Sequence, residues 1–390
     1  MSECTDYIVM GAGVVGLCAA IALRQKGYSV VVLESGSLAY PTSDPESRVY
    51  ALNQASQALL QHIDVWDKLS HTAMGVYERM QVWDSFGRAK IAFDARMLAC
   101  DRLGVIIEEA PLKYALIQQA RALKITCVEH WKTDAVEELA ETMIVRSLDQ
   151  SWSAAYVIIA EGARSTTRDL LKVPMTTWSY QQHALVAKVA VEKSHAQTAY
   201  QVFCAKGPLA FLPLSDPHQC SIVWSSASDH IDHLMTLSEH DFSHELNMAF
   251  EHTLGATTLL SARKCFPLQM QHAGQYAGSR WVLMGDAAHT IHPLAGLGLN
   301  LGLADISLFL KSIDHLPRPN TRALRAYQRH RKHEVWQVIL FLQSIHVLFT
   351  NTHLPIQIMR GLALRLCNHL PILKRVCMEH ASGQSSWHVM

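Results

Sequence analysis

No sign of charge prevails in this chain. Its 34 Lys and Arg balance its 34 Asp and Glu, so no summed field draws in a polyanion, and attraction to nucleic acid is excluded as the main mode of action. Charged residues are sparse, at 17% against 49% apolar. That excludes a disordered acidic or basic tail protein and allows a large buried core. None of the nine cysteines forms a Cys-x-x-Cys pair. A disulfide framework or structural zinc site calls for closer spacing, so reduced buried thiols are expected. The amino terminus, MSECTDYIVMGAG, starts acidic and lacks the positive segment and cleavage site of a secretory signal. No stretch reaches the roughly 18 unbroken apolar residues of a membrane span. A cytoplasmic globular protein is expected, and 390 residues without an internal repeat make two or three units at roughly 150 residues each.

Against this background one local pattern stands out. Asp6 to Met10 reads as a short apolar strand, Val14 to Lys26 as a helix closed by Gly27, and Ser29 to Leu33 as a second strand. This is a βαβ unit, whose right-handed crossover makes the strands parallel. Between the first strand and the helix lies Gly11-Ala12-Gly13-Val14-Val15-Gly16. In such a turn the first glycine permits the tight bend, the second lets backbone approach a pyrophosphate, and the third packs helix on strand. Glu34, with Ser35 beside it, ends the second strand, where a carboxylate can hold an adenosine ribose. A carboxylate there disfavours a 2′-phosphate, so FAD or NAD fits and NADP does not.

Two further apolar runs, Ala155 to Ala160 and Trp281 to Met284, lead into Glu161-Gly162 and Gly285-Asp286 and read as buried strands of the same α/β layer. After Asp286 a loop carries Pro293, Gly296 and Gly298, and a helix begins near Leu299-Asn300. Glycines there bring backbone close to a flat ligand and the helix aims its positive end at it, while Asp286 suits a polyol hydroxyl. From Thr176 to Met270 the texture becomes alternating and β-branched, as in Ala184 to Val191, Ala199 to Cys204 and Cys220 to Trp224. An inserted antiparallel sheet is expected, joined by a hairpin over Arg79 to Phe93 centred on Gly87. Phe211 to Leu214 and Val223-Trp224 are either the apolar wall of a substrate pocket or plain sheet core. From about Leu324 the chain turns helical.

Together these motifs resemble the FAD-dependent aromatic hydroxylases, flavoprotein monooxygenases built like p-hydroxybenzoate hydroxylase. More closely they resemble the ubiquinone-biosynthesis branch, the 2-polyprenylphenol 5-hydroxylases in particular. Arg48 to Asn53 with Ala55-Ser56, His183 to Ala187, Leu209 to His218, Ser221 to Ser225 and Gly285 to Gly296 carry this match along essentially the whole chain. The resemblance implies an α/β FAD-binding domain over 1–75, 100–175 and 271–325, a substrate domain over 76–99 and 176–270, and a C-terminal helical region over 326–390. It implies that Gly11, Ala12, Gly13, Val15, Gly16, Glu34 and Ser35 hold the ADP half of FAD. Arg48, Glu161, Gly162, Gly285 and Asp286 would serve its middle, and Pro293, Gly296, Gly298, Leu299 and Asn300 its flavin end. NADPH or NADH would visit transiently to reduce FAD, dioxygen would form a hydroperoxyflavin, and one oxygen atom would pass to a polyprenylphenol. The cofactor carries that chemistry, so no side chain is named as catalytic.

Three positions depart from the family pattern. The middle motif begins Glu161-Gly162 instead of Asp-Gly, Leu297 stands where Gln is usual, and Glu108-Glu109 replaces Glu-Asn. A flavin oxidase or dehydrogenase, or an FAD-poor assembly component of a quinone-synthesis complex, therefore stay open as alternatives. His289 and His292 lack a third ligand and are not expected to hold a metal. Arg329 to His333 reads as a solvated basic face. The helical stripe Val335, Val338, Ile339, Leu342, Ile345, Leu348 and Phe349 packs on the flavin domain or docks on a membrane. Surplus Trp336, Leu340, Phe341 and Val347, with Arg360, Arg365, Lys374 and Arg375, would serve peripheral contact with the inner membrane or another quinone-biosynthesis protein.

Overall fold

The computed structural model describes residues 4–39, 48–86, 89–292, 296–314 and 319–350, with 368, 370, 374–375, 378–379 and 381–383 beyond them. The expected contact at Pro293, the hairpin centre at Gly87, and Arg360 and Arg365 lie outside the described residues.

The opening strand Cys4–Met10 pairs in parallel with Val30–Leu33 and with Ser151–Ile159. Val30–Leu33 in turn pairs with Thr126–Val128, and the end of Ser151–Ile159 pairs with Trp281–Leu283, again in parallel. Both faces of this layer are covered, and Ile8, Val9, Val32, Val157, Ile158 and Leu283 are fully buried. That is why these strands read as unbroken apolar runs. Met143–Arg146 and Ala135–Glu138 extend the layer in antiparallel fashion. The helices Val14–Gln25, Glu109–Ala122 and Leu297–Ile313 pack around it.

Five parallel strands thus end on one edge, at Met10, Leu33, Val128, Ile159 and Leu283. In an open α/β sheet, that carboxyl edge is where ligands bind.

A second large sheet runs in the order His289–Thr290, Lys264–Ala273, Met175–Val191, Gln219–Ala227, Gly207–Pro213, Thr198–Cys204, Arg79–Asp84 and Lys90–Asp94. The inserted sheet and the hairpin Arg79–Asp84/Lys90–Asp94 are present, but the join between Arg79–Asp84 and Thr198–Cys204 is parallel, so the sheet is mixed. The helices Ser228–Thr236 and Glu239–Ala249 also interrupt the stretch expected to be strands. They cover the sheet's outer face through Ile231, Leu234, Phe242 and Leu246, all fully buried. A small antiparallel sheet of Val49–Leu52, Gly104–Glu108 and Met74–Tyr77 lies between the two large ones. A Cβ on Gly75 would stand 1.9 Å from the Pro213 carbonyl oxygen, so this sheet abuts the second one with no room for a side chain.

The last long helix, Thr321–Thr350, buries Val335, Ile339 and Leu342 in the main core. Trp336 is not surplus as expected, because its ring packs 4.9 Å from that of His272. Leu340, Phe341 and Val347 are exposed. Among the described residues no helix is long and apolar enough to cross a membrane. Of the cysteines, Cys18 and Cys220 are buried free thiols, whereas Cys265 is exposed instead of buried as expected.

Candidate active site

One cavity of about 910 Å³ runs from the carboxyl edge of the parallel sheet, past the small sheet, to the inner face of the second large sheet. Its size lies near the top of the roughly 300–1,000 Å³ usual for ligand clefts. Gly11, Gly13, Val15, Glu34, Ser35, Arg48, Glu161, Gly162, Gly285, Asp286, Gly296, Gly298 and Leu299 all line it. Residues from six separate segments of sequence are thereby brought to one wall.

The glycines fall into two groups. A Cβ on Gly16 would stand 1.9 Å from the Gly11 carbonyl oxygen, and one on Gly11, where φ is +94°, 2.7 Å from that of Ala160. These two pack strand, turn and helix together, as the motif requires. By contrast a Cβ on Gly13, Gly162 or Gly298 would meet nothing within 4 Å. Those three leave open space along the cavity, a cradle in which a ligand's own atoms can approach backbone.

Two helices open on this cradle without a side-chain cap: Val14–Gln25, preceded by Gly13, and Leu297–Ile313, preceded by Gly296 at φ +60°. Elsewhere, Gln54–His62 and Glu239–Ala249 are capped by Asn53 and Ser238, while Glu109–Ala122 and Ser228–Thr236 also lack a side-chain cap. Uncapped N–H groups and the positive end of the helix dipole are suited to an anion or an electron-rich ring edge. The residues present therefore fit an elongated anionic cofactor such as FAD.

Around the cradle several side chains act on the wall itself. Glu34 accepts hydrogen bonds from the Ala12 N–H at 2.5 Å and the Gly36 N–H at 2.8 Å, which fixes its carboxylate against the glycine turn. Ala12 is buried and contributes through this backbone bond. Glu161 accepts from Ser165 Oγ at 2.6 Å, Thr167 N–H at 2.9 Å and Thr167 Oγ1 at 3.0 Å. Its longer side chain thus braces its own loop. Asn300 is turned behind the wall: its amide donates to the Ala51 and Gly296 carbonyls and its oxygen accepts from Asn53 N–H and Ser56 Oγ. It ties the flavin-end loop to the small sheet and does not line the cavity.

Asp286 lines the cavity, where neighbouring protein crowds its carboxyl and strips part of its hydration. That desolvation pushes its carboxyl above the ordinary range, with His289 and Arg48 opposing the rise. Behind it lies a buried ionic cluster. Asp305, fully buried, accepts from Gly285 N–H at 2.8 Å and pairs with His289 Nε2 at 2.9 Å and Arg331 Nε at 2.6 Å. Arg331 also bonds the Leu301 carbonyl at 3.0 Å and Glu334. Arg331 is only 2% exposed, so the basic run is not wholly a solvated face. One carboxylate therefore staples both ends of the turn that presents Asp286. His292 packs edge-on against Tyr180, with Nε2 3.3 Å from Gln182 Oε1.

Sequence reasoning passed over other lining residues. His130, Trp131, Lys132 and Thr133 line the nucleotide end because they follow the strand Thr126–Val128. The short run Ile125 to Val128 was the available signal. Tyr50, Glu109 and Lys113 line the middle; Lys113 Nζ lies 3.5 Å from Glu109, whose N–H donates to the Arg48 carbonyl.

Register separates wall from core on the second sheet. Gln201, Ala210 and Val223 sit opposite one another on adjacent strands, so they share a face. That face turns to the cavity, with Ala199, Pro208, Leu212 and Ser225. Of the expected wall, Leu212 and Val223 line it, while Phe211 and Trp224 point the other way into the outer core.

A model of the FAD binding domain family matches residues 4–341. The chain is 31% identical to the 3-demethoxyubiquinol 3-hydroxylase of Escherichia coli (strain K12), over 97% of this chain and 98% of that one. It is 30% identical to the ubiquinone hydroxylase UbiL of Rhodospirillum rubrum, over 97% and 89% of the two. Its fold resembles that of p-nitrophenol 4-monooxygenase PnpA from Pseudomonas putida DLL-E4, with a TM-score of 0.81 over 99% of this chain and all of that one. At 18% identity that likeness concerns fold alone. The chain belongs to the FAD binding domain family and is an FAD-dependent monooxygenase of the aromatic-hydroxylase kind.

Proposed function

We propose that this monooxygenase hydroxylates the ring of a polyprenylated phenol in ubiquinone biosynthesis, using NADPH or NADH and dioxygen. The observation that carries the reading is the single cavity joining a dinucleotide cradle to an aliphatic sheet face. When bound, FAD would supply both the acceptance of electrons from the nicotinamide and the activation of dioxygen.

The chain's own residues orient and shield. Gly11, Gly13, Glu34 and Ser35 would hold the ADP half, Arg48 and Lys113 would offset the charge of the phosphates, and Asp286 would hold the ribityl hydroxyls. Backbone N–H groups of Gly298 and Leu299 at the helix start would favour negative charge on the ring system, a contribution of about 1 kcal/mol. Ala199, Ala210, Leu212 and Val223 would seat an apolar ring and keep water from the reacting oxygen. The exposed Leu340, Phe341 and Val347 would offer a contact for a membrane or another quinone-biosynthesis protein, of use to an enzyme with a lipid substrate.

The test is deletion in a quinone-making host, with mass spectrometry of the accumulated lipid. A precursor short of one ring hydroxyl, restored to quinone by the intact chain, is the expected result. Normal quinone levels after deletion would overturn it.

A further inference from the structure

The sheet face that roofs the cavity is nearly all aliphatic. Its cavity-facing positions on Thr198–Cys204, Gly207–Pro213 and Gln219–Ala227 include Ala199, Pro208, Ala210, Leu212 and Val223, with two exceptions, Gln201 and Ser225. These two are 7% and 3% exposed, and among the described residues neither side chain has a hydrogen-bond partner. The adjacent Ser226, which points to the opposite side of its strand, is by contrast bonded through Oγ to His230 at 3.0 Å. An amide and a hydroxyl that face the cavity from an otherwise apolar wall, without a protein partner, are open to a ligand's polar atoms. Register sets Gln201 two strands and two residues from Ser225, roughly 12 Å between Cα atoms. The row between them is Ala210 and Val223, small enough to leave room for a flat ring.

We propose that Gln201 and Ser225 are the positioning residues that read the ring's oxygen substituents, the Gln201 amide donating to one and the Ser225 hydroxyl to another. This rests on the phenol-hydroxylase reading. The cations on the cavity wall, Arg48, Lys113, Lys132 and Arg164, come from the nucleotide-side segments and the small sheet, and the roof positions carry none. The roof therefore selects by neutral hydrogen bonds, which discriminate sharply because an analogue lacking the oxygen leaves the buried group open. Neither side chain takes part in bond making; they set which ring carbon faces the flavin loop.

The test uses FAD-loaded enzyme and three probes: 2-geranyl-6-methoxyphenol, 2-geranylphenol and geranylbenzene. Binding is followed by perturbation of the flavin spectrum. Gln201→Met, which keeps length and removes the amide, should weaken the two phenols about 10- to 100-fold while geranylbenzene stays within about twofold. Ser225→Ala should reduce the preference for the methoxy probe over 2-geranylphenol. FAD content and melting temperature equal to wild type show that the variants are folded; if Gln201→Met is not, Gln201→Leu takes its place. Equal weakening of all three probes, or of none, overturns the assignment. If wild type itself binds no phenol better than geranylbenzene, the phenol reading falls and the assignment with it.

Discussion

Along the edge of the parallel sheet the wall of the cavity is backbone: Gly13, Gly162, Gly298 and two uncapped helix starts leave amides open to a ligand. At the roof the wall is side chain, and what faces inward is decided by strand register. The first end is specified by local rules, since glycine is favoured where φ is positive and needed where backbone must approach closely. The second is specified by pairing across the sheet, where a one-residue slip would exchange wall for core. Substitutions at the first end should therefore act on folding or on FAD, and those at the second on core stability or on substrate, with little crossover.

The sharpest contrast lies within the glycine turn. Gly16→Ala forces a methyl to within 1.9 Å of the Gly11 carbonyl oxygen, so the helix must leave the strand. Loss of more than about 4 kcal/mol, seen as failure to recover folded protein, is expected. Gly13→Ala meets only open space, and should leave apo-protein melting unchanged while weakening FAD binding at least about tenfold. Were Gly13→Ala to retain FAD as wild type does, the dinucleotide would not run along that turn.

Next is the staple behind Asp286. Asp305→Ala leaves Arg331 and His289 buried without their shared carboxylate, a loss of about 3–5 kcal/mol by urea unfolding. Asp305→Asn keeps the shape and should lose less. If Asp305→Ala unfolds at the wild-type midpoint, the cluster contributes nothing net and the turn is held by packing.

Legibility followed the same division. The glycine turn, Glu34 and the Gly285 loop were readable as parts of one cavity wall because their signals are residues close in sequence. The roof was not: Phe211 to Leu214 is apolar at both parities, and only the pairing of Tyr200 with Phe211 shows which side chains face outward. Arg331 looked like one more solvated cation because its partner lies 26 residues upstream. The one clue was Asp305 as the lone acidic residue in the apolar run Leu297–Ile313. The helix Glu239–Ala249 was overlooked although Ser238, whose Oγ accepts from the Asp241 N–H at 3.1 Å, is a legible start signal.

Across the roof, adjacent residues should behave oppositely. Phe211→Ala removes a fully buried ring stacked 3.7 Å from that of Phe250 and should cost about 3–5 kcal/mol in thermal or urea unfolding. The folded fraction should keep its KM. Ala210→Leu puts extra carbons into the cavity, leaves stability nearly unchanged, and should lower kcat/KM about tenfold with full FAD content. A loss of activity for Phe211→Ala in proportion to kcat per folded flavin would mean that the outer core also shapes the site.

The smallest effect tests the middle of the cavity, where the two modes of construction meet. Glu109 lies on the wall beside Lys113 and next to the strand that carries Arg48. A carboxylate there opposes a diphosphate, and two cations offset it. Glu109→Gln removes one negative charge and frees Lys113, so FAD should bind about 3- to 10-fold more tightly, or about 1 kcal/mol. The gain should shrink as salt rises, because the wall is open to solvent through the cavity mouth. Fluorescence titration of apo-protein at two ionic strengths measures both. Weaker binding of FAD by Glu109→Gln would place the phosphates elsewhere and make Glu109 a hydrogen-bond acceptor for the ligand, a role that the pairing of its carboxylate with the Tyr50 hydroxyl would then have to share.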